Sequence, residues 1–333
     1  MAKLFTAAVL AVFLIGGNAT LCAQNFITIA PHGSADGTLA GRIDASGRVV
    51  GIYFDSKNVQ HGFSRSVDGN IIRVDPPGST RTFLAGSTPL GQIAGSYFDS
   101  SQIVHGFLRS TSGVFAPINV SGASATYVTG MNAAGKIVGL YQDSSHAFHG
   151  FMRRPNGSVR TFDPPGSTAT FASVINDLGQ IAGSYADAGN LKHGFVRTPT
   201  GAFVSFDLSD SANIFVTSIN RAGEIVGSYY DLNDKQHGFA REPLGALISF
   251  DVPGSTLTNL LGINDAGAMV GYYRHGNTEQ HGFLRRADGS LVFFDAPGAT
   301  ETIPEGINKK GTISGSENSQ NGVYRGFLFQ PAQ

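Results

Sequence analysis

The chain has 333 residues, a formal charge of −1, 44 glycines, no tryptophan and one cysteine. A near-neutral balance argues against a nucleic-acid partner, because phosphate binding needs a basic surface. Abundant glycine and few charges fit a turn-rich β protein, and a chain of this length can bury a sizeable core.

Residues 1–23 have the pattern of a secretory signal: Lys3, an apolar run from Leu4 to Gly17, and Leu21-Cys22-Ala23 as a cleavage site before Gln24. An uncleaved anchor and a lipoprotein on Cys22 are the rival readings, the second disfavoured by bulky Leu21. The expected location is secreted, periplasmic or cell-surface, with no membrane span after cleavage. Cys22 would leave with the signal, so residues 24–333 would hold no disulfide, thiol nucleophile or cysteine ligand.

From residue 26 onward one tripeptide returns every 44 residues: His61-Gly62-Phe63, then His105, His149, His193, His237 and His281, and an altered copy at Arg325-Gly326-Phe327. A fixed period of this size signals a repeat architecture. The units are 26–69, 70–113, 114–157, 158–201, 202–245, 246–289 and 290–333, leaving nothing for a second domain. Within the unit starting at Ser158, strands are expected at Val159–Phe162, Ala172–Ile175, Ile181–Tyr185 and Gly194–Arg197. Pro164-Pro165 stops the first of these, and Asn176-Asp177-Leu178-Gly179 turns between the second and third.

Four short strands per unit, repeated seven times, predict an all-β chain: a seven-bladed β-propeller with four antiparallel strands per blade. A parallel β-solenoid is the alternative, but recurrent hairpin signals such as Asp68-Gly69 speak against it. The link Asp75 to Thr80 cannot be a tight hairpin and marks the crossover between blades. The innermost strand is then the one ending Ile-Asn, and the outermost the one ending Phe-Asp. Phe26 to Ala30 becomes the outer strand of the last blade, so the ring closes by pairing the two ends of the chain and removes exposed edges.

Counting across hairpins places His61 between Asp55 and Asp75, because cross-strand neighbours share a face. The same arithmetic groups Asp143, His149 and Asp163; Asp187, His193 and Asp207; and Asp231, His237 and Asp251. Variant groups are Asp99, His105 and Asn119, and His275, His281 and Asp295, with Ser319 and Arg325 standing in within the last unit. An Asp–His pair could orient a general base or bind a metal. Six near-identical copies around a ring instead fit a structural latch, and neighbouring histidines lie too far apart to share a metal. No catalytic residue, metal or cofactor is therefore expected. Counting also sets Gly62 opposite Val74 and Phe54, and Phe63 opposite Tyr53. Asn132, Asn176, Asn220, Asn264 and Asn308 are turn formers.

What varies is the five residues before each histidine, and variable loops on a rigid scaffold are where recognition sits. The candidate binding residues there are His146, Phe148, Lys192, Lys235, Arg274 and His275. Drift on a solvated rim is the plain alternative. The expected role is a monomeric exported binding or scaffold protein whose partner is an extracellular polymer or protein held at the loop rim. Missing tryptophan weakens a lectin version. The alternative is a hydrolase or lyase in the central channel, which an isolated cluster of non-repeated acid–base residues near the axis would favour. A purely structural surface protein is a third possibility.

The strand His-Gly-Phe-x-Arg, followed by Ile-Asn-x-x-Gly-x-Ile-x-Gly-x-Tyr, resembles the bacterial extracellular HAF-repeat proteins over residues 26–333. It departs from them in carrying Gly where the family name has Ala. The resemblance implies a secreted or envelope repeat protein and no established activity.

Overall fold

The computed structural model describes residues 26–209, 211–276 and 279–332, so the signal-like segment 1–23 lies outside the described residues. Among the described residues all the regular structure is β. The amino-terminal strand β1 (Phe26–Ile29) is followed by β2 (Gly37–Ile43), β3 (Val49–Phe54), β4 (Gln60–Arg65) and β5 (Ile71–Arg73), which form an antiparallel sheet in that order. The pattern repeats as β6 (Arg81–Ser87), β7 (Ile93–Phe98), β8 (Val104–Arg109) and β9 (Phe115–Ile118), then as β10 (Ala125–Met131), β11 (Ile137–Gln142), β12 (Phe148–Arg153) and β13 (Val159–Phe162). It repeats again as β14 (Ala169–Ile175), β15 (Ile181–Ala186), β16 (Lys192–Arg197) and β17 (Phe203–Phe206), and as β18 (Ser211–Ile219), β19 (Ile225–Asp231), β20 (Gln236–Arg241) and β21 (Leu247–Phe250). These last two sets are joined into one eight-stranded sheet by a parallel pairing of Lys192 with Asn213. β22 (Leu257–Ile263), β23 (Met269–Arg274), β24 (His281–Arg285) and β25 (Leu291–Phe294) form the next sheet. The last, β26 (Ala299–Ile307), β27 (Ile313–Ser319) and β28 (Tyr324–Phe329), takes β1 as its fourth strand, with Phe26 opposite Phe329 and Ile29 opposite Gly326.

Consecutive strands within each sheet are antiparallel hairpins, which excludes the parallel solenoid. The inner strands begin three residues earlier than the apolar run alone suggested, at Ala169 rather than Ala172 in the unit of Ser158. The polar-looking Thr170 belongs to the strand because its side chain is fully buried.

The sheets are held by a packing rule that repeats with the sequence. Phe63, Phe107, Phe151, Phe195, Phe239, Phe283 and Phe327 are at most 2 % exposed. Each pairs with the glycine of the preceding strand, such as Gly51 with Phe63 and Gly139 with Phe151. At Gly139 a Cβ would collide with the Tyr127 carbonyl oxygen and the Phe151 ring, so only glycine lets the ring lie flat on the neighbouring strand. This corrects the counted register: Phe63 faces Gly51, not Tyr53, and Gly62 faces Ile52, not Phe54, while Tyr53 faces His61. The five-residue loop is 55–59 rather than 56–60, because Asp55 belongs to the loop and Gln60 to the strand, which shifts the partner by two.

Neighbouring sheets are stitched by the turn asparagines, which do more than shape turns. Asn132 Oδ1 accepts from its own turn at Lys136 N, and its Nδ2 donates to the Asn176 carbonyl 44 residues on, at 3.0 Å. Asn176, Asn220 and Asn264 continue the belt to the carbonyls of Asn220, Asn264 and Asn308 at 3.0, 3.1 and 3.1 Å. The first and last sheets meet through Ala40 N donating to Ser316 Oγ at 3.1 Å and Ser314 Oγ donating to the Gly41 carbonyl at 2.6 Å. No helix among the described residues is long and apolar enough to cross a membrane.

Two outcomes check this packing. Phe151→Ala should cost about 3–5 kcal/mol, the usual range for emptying a buried aromatic site, measured by denaturant unfolding. Deleting Phe26–Ile29 should lower the melting temperature, because β28 would be left as an open edge; an unchanged melting temperature would refute a holding role for β1.

Candidate binding rim and central channel

At one rim, the loops before the first five tripeptide histidines are each built by one aspartate. Asp55 Oδ1 accepts from Lys57 N and Val59 N at 2.8 and 2.9 Å, and Asn58 takes a left-handed φ of 57°. Asp99, Asp143, Asp187 and Asp231 repeat this loop, with Gln102, His146, Asn190 and Asp234 at the left-handed position. This is the ordinary use of aspartate as a turn former, one oxygen gathering backbone N–H groups. The other oxygen faces the histidine.

His61 Nε2 lies 3.3 Å from Asp55 and its Nδ1 2.8 Å from Asp75. His105 sits between Asp99 at 3.0 Å and Asn119 at 3.3 Å, and His149 between Asp143 at 3.4 Å and Asp163 at 2.8 Å. His193 contacts Asp187 at 3.3 Å and Asp207 at 2.7 Å, and His237 contacts Asp231 at 3.4 Å and Asp251 at 2.7 Å. His281 reaches Asp295 at 3.0 Å. The first five imidazoles therefore tie the loop before them to the crossover after them, and each ring lies against the tyrosine of the preceding strand, as His149 does on Tyr141 at 5.1 Å. In the first five copies both ring nitrogens are occupied, which leaves none to move a proton or bind a metal. No group of three His, Cys, Asp or Glu among the described residues is placed to hold a metal ion. In the last unit Arg325 approaches Glu317 at 3.9 Å, while the Ser319 hydroxyl donates to the Val323 carbonyl within its own loop.

The titration behaviour follows from these contacts. Burial alone would depress His149 and His193, but hydrogen bonds and charge from their flanking aspartates outweigh it and hold both above the ordinary 6.5. Asp143 is drawn down to about 2, chiefly by the Ser145 hydroxyl. Asp55, Asp187 and Asp231 are lowered chiefly by backbone N–H donors, and Asp99 by His105.

The sequence-derived rim residues separate into distinct settings. His146 is exposed at the left-handed position of its loop. Lys235 is spent on Asp251 at 3.4 Å. Arg274 lies on β23 with a buried Nε that has no hydrogen-bond partner. His275, expected to flank His281, has its Nδ1 2.9 Å from the Gly254 carbonyl and packs on Tyr273.

Phe148 and Lys192 come together, and they do so within a larger feature that the sequence reading missed. Phe148 lies between Tyr127 and Phe171, at 6.2 and 5.6 Å between ring centroids. The Lys192 ammonium stands 5.4 Å from the Phe171 ring centre and 4.8 Å from that of Phe215, and Phe215 continues to Tyr230 at 6.0 Å. This aromatic arc runs over three successive units. Its inner members sit near the start of β10, β14 and β18, on the crossover side. The available signal was an aromatic at fixed spacing, Phe83, Tyr127, Phe171 and Phe215, with Leu39, Asn259 and Ile303 at the same position elsewhere.

The second feature is a channel of about 540 Å³ lined by the inner strands and the asparagine turns. Its volume lies within the ~300–1,000 Å³ of small-molecule sites. Asp44, Asp177 and Asp265 stand at its turn-side mouth, each accepting from backbone N–H groups.

No family model and no curated protein matches the chain. Among solved structures it is similar to the β-propeller domain of the Trilobed protease from Pyrococcus furiosus, with a TM-score of 0.63 and 9 % identity over 89 % of this chain and 96 % of that one. It is also similar to puromycin hydrolase (TM-score 0.60, 12 % identity, 89 % of this chain and 52 % of that one) and to a prolyl endopeptidase (0.60, 12 %, 91 % and 46 %). The chain thus spans about half the length of those two enzymes. At such low identity the likeness concerns architecture alone: an all-β chain of four-stranded antiparallel sheets with the fold of β-propellers.

The rim contacts set the pH response. Lowered carboxylates contribute stability that is present above their ordinary 3.8 and lost as pH falls through their folded values. Raised histidines contribute stability that is present below 6.5 and lost as pH rises through their folded values. The melting temperature should therefore peak between those two ordinary values, and His149→Ala should flatten its alkaline side. A wild-type maximum well above 6.5, or an unchanged profile in His149→Ala, would contradict this account.

Proposed function

We propose that this chain is a seven-bladed, exported propeller that acts as a binding or scaffold module, with the aromatic arc on the loop rim as its site and an extracellular polymer or protein as its partner. The carrying observation is the run Tyr127, Phe148, Phe171, Lys192, Phe215 and Tyr230. Rings offer flat apolar area at low conformational cost, and the same residue type recurring one unit apart suits a ligand that itself repeats. Phe215 is 37 % exposed, so part of this apolar surface is open to solvent. Lys192 adds one cation beside two rings, which favours a polymer bearing acidic groups. On this reading the Asp–His contacts are latches that keep the loops in place beneath the arc. Pairing of β1 with β28 supports a closed ring, and the signal-like residues 1–23 support export.

A hydrolase in the channel is the second reading, favoured by Glu305, a carboxyl raised by burial that lines the channel. A single carboxyl needs a partner acid, base or nucleophile. The aspartates at the mouth are instead engaged by backbone N–H groups. Binding is the better account.

The test is an array of anionic and neutral glycans and acidic and neutral polypeptides, probed with the purified protein and with Phe171→Ala and Lys192→Ala. Binding should fall at least about tenfold in each variant, without loss of fold by circular dichroism. Retention of full affinity in both would refute the arc as the site.

A further inference from the structure

Besides the charged residues of its turn-side mouth, two charged side chains from the inner strands line the channel, Arg42 and Glu305, and each is alone at its repeat position. Positions one unit apart from Arg42 carry Gly86, Gly130, Val174, Ser218, Gly262 and Gly306, so only the first unit places a charge there. Glu305 is equally alone: Gly41, Ala85, Thr129, Ser173, Thr217 and Leu261 occupy its position elsewhere.

Both leave the ladder at bulges. The pairing of β2 with β3 skips from Ala40 to Ile43, freeing Gly41 and Arg42, and that of β26 with β27 skips from Pro304 to Gly306, freeing Glu305. Bulges re-aim side chains. In two other units the bulge residue is spent on the neighbouring sheet: the Thr129 hydroxyl donates to the Ala172 carbonyl at 2.7 Å, and that of Thr217 to the Leu260 carbonyl at 2.8 Å. An ionised glutamate cannot donate, so Glu305 has no such use.

Arg42 and Glu305 both line the channel, and neither makes a hydrogen bond or ion pair with another described residue. Burial pushes the Glu305 carboxyl up and the Arg42 guanidinium down, and each charge partly offsets the effect on the other. Arg42 is exposed along the channel and Glu305 is half-buried, so both are accessible to a solute. The first and last sheets are locked by the Ala40–Ser316 and Gly41–Ser314 bonds, and the two charges remain more than direct-contact distance apart. A donor-only group and an acceptor-only group thus stand on adjoining inner strands and both open into a small-molecule-sized cavity, with Glu305 also bordering a side cavity of about 200 Å³ beside Leu39 and Phe83.

We propose that the channel binds a small amphoteric molecule of the free amino acid or short-peptide class, its carboxylate held by Arg42 and its ammonium by Glu305. Such a ligand carries no net charge into the ring and supplies each side chain with the partner it lacks. A guanidinium takes a carboxylate through two parallel N–H bonds, and a carboxylate accepts an ammonium in any of several directions. Ligands with one charge satisfy one side chain and leave the other as it is. This site is independent of the rim arc.

The experiment screens free α-amino acids and dipeptides against the purified protein by thermal shift and titration calorimetry, with acetate and methylamine as singly charged controls. Amphoteric members should raise the melting temperature and the controls should not. Arg42→Met and Glu305→Gln should each weaken binding at least about tenfold, whereas Phe171→Ala should leave it unchanged. The proposal is overturned if no amphoteric compound shifts the wild type, if acetate or methylamine does so equally, or if binding survives in both channel variants. A fall in the ligand-free melting temperature of both variants with no ligand response in the wild type would mark the two charges as a structural pair and would equally overturn it.

Discussion

One contact underlies the rest of the structure: a phenylalanine ring lying flat on the glycine of the neighbouring strand. It recurs from Phe63 on Gly51 to Phe327 on Gly315. The ring fills the space a side chain would take, and the glycine lets the inner strand's carbonyl approach from the other side. Buried aromatics supply much of a core's apolar area, so a chain with few long side chains inside still packs densely. Because the contact involves the two middle strands of every sheet, it sets their register, and that register in turn decides which residues reach the rim.

The rim follows from that placement. With phenylalanine fixed on the glycine, the preceding histidine must fall opposite tyrosine and between two carboxylates. One aspartate does two jobs, shaping the loop with one oxygen and holding the imidazole with the other. The loops are thereby ordered by hydrogen bonds, with hydrophobic residues such as Ile103, Leu191 and Leu232 left exposed, which frees their sequence to vary. The asparagine belt does the corresponding work at the opposite end, where each turn is fastened to the next across a sheet boundary.

Departures from the repeat carry the chemistry. A regular position must serve every sheet alike, so its residue is explained by packing. Lys192 between two rings, and Arg42 and Glu305 in the channel, have no counterparts in the other units. Each stands where the same backbone site elsewhere holds a residue that the scaffold uses or leaves small. The two features face different ends of the molecule, so binding at one need not obstruct the other.

The sequence by itself determined the period, the four strands of each unit, the place of the crossover and the pairing of β1 with the carboxy-terminal strands, because turn chemistry and hydrophobic alternation are local and recur 44 residues apart. It also brought His61, Asp55 and Asp75 together: Asp55 follows Tyr53 on the same face, so a slip of two residues still left its carboxylate within reach of the imidazole. Only the tertiary structure decided the register by which Phe63 meets Gly51 rather than Tyr53, because a slip of two residues keeps every side chain on its face and leaves the alternation unchanged. It alone assembled the aromatic arc, whose members come from three units. It alone brought Arg42 and Glu305 together in one channel, because the strands carrying them lie at opposite ends of the chain and meet only where the first and last sheets pack.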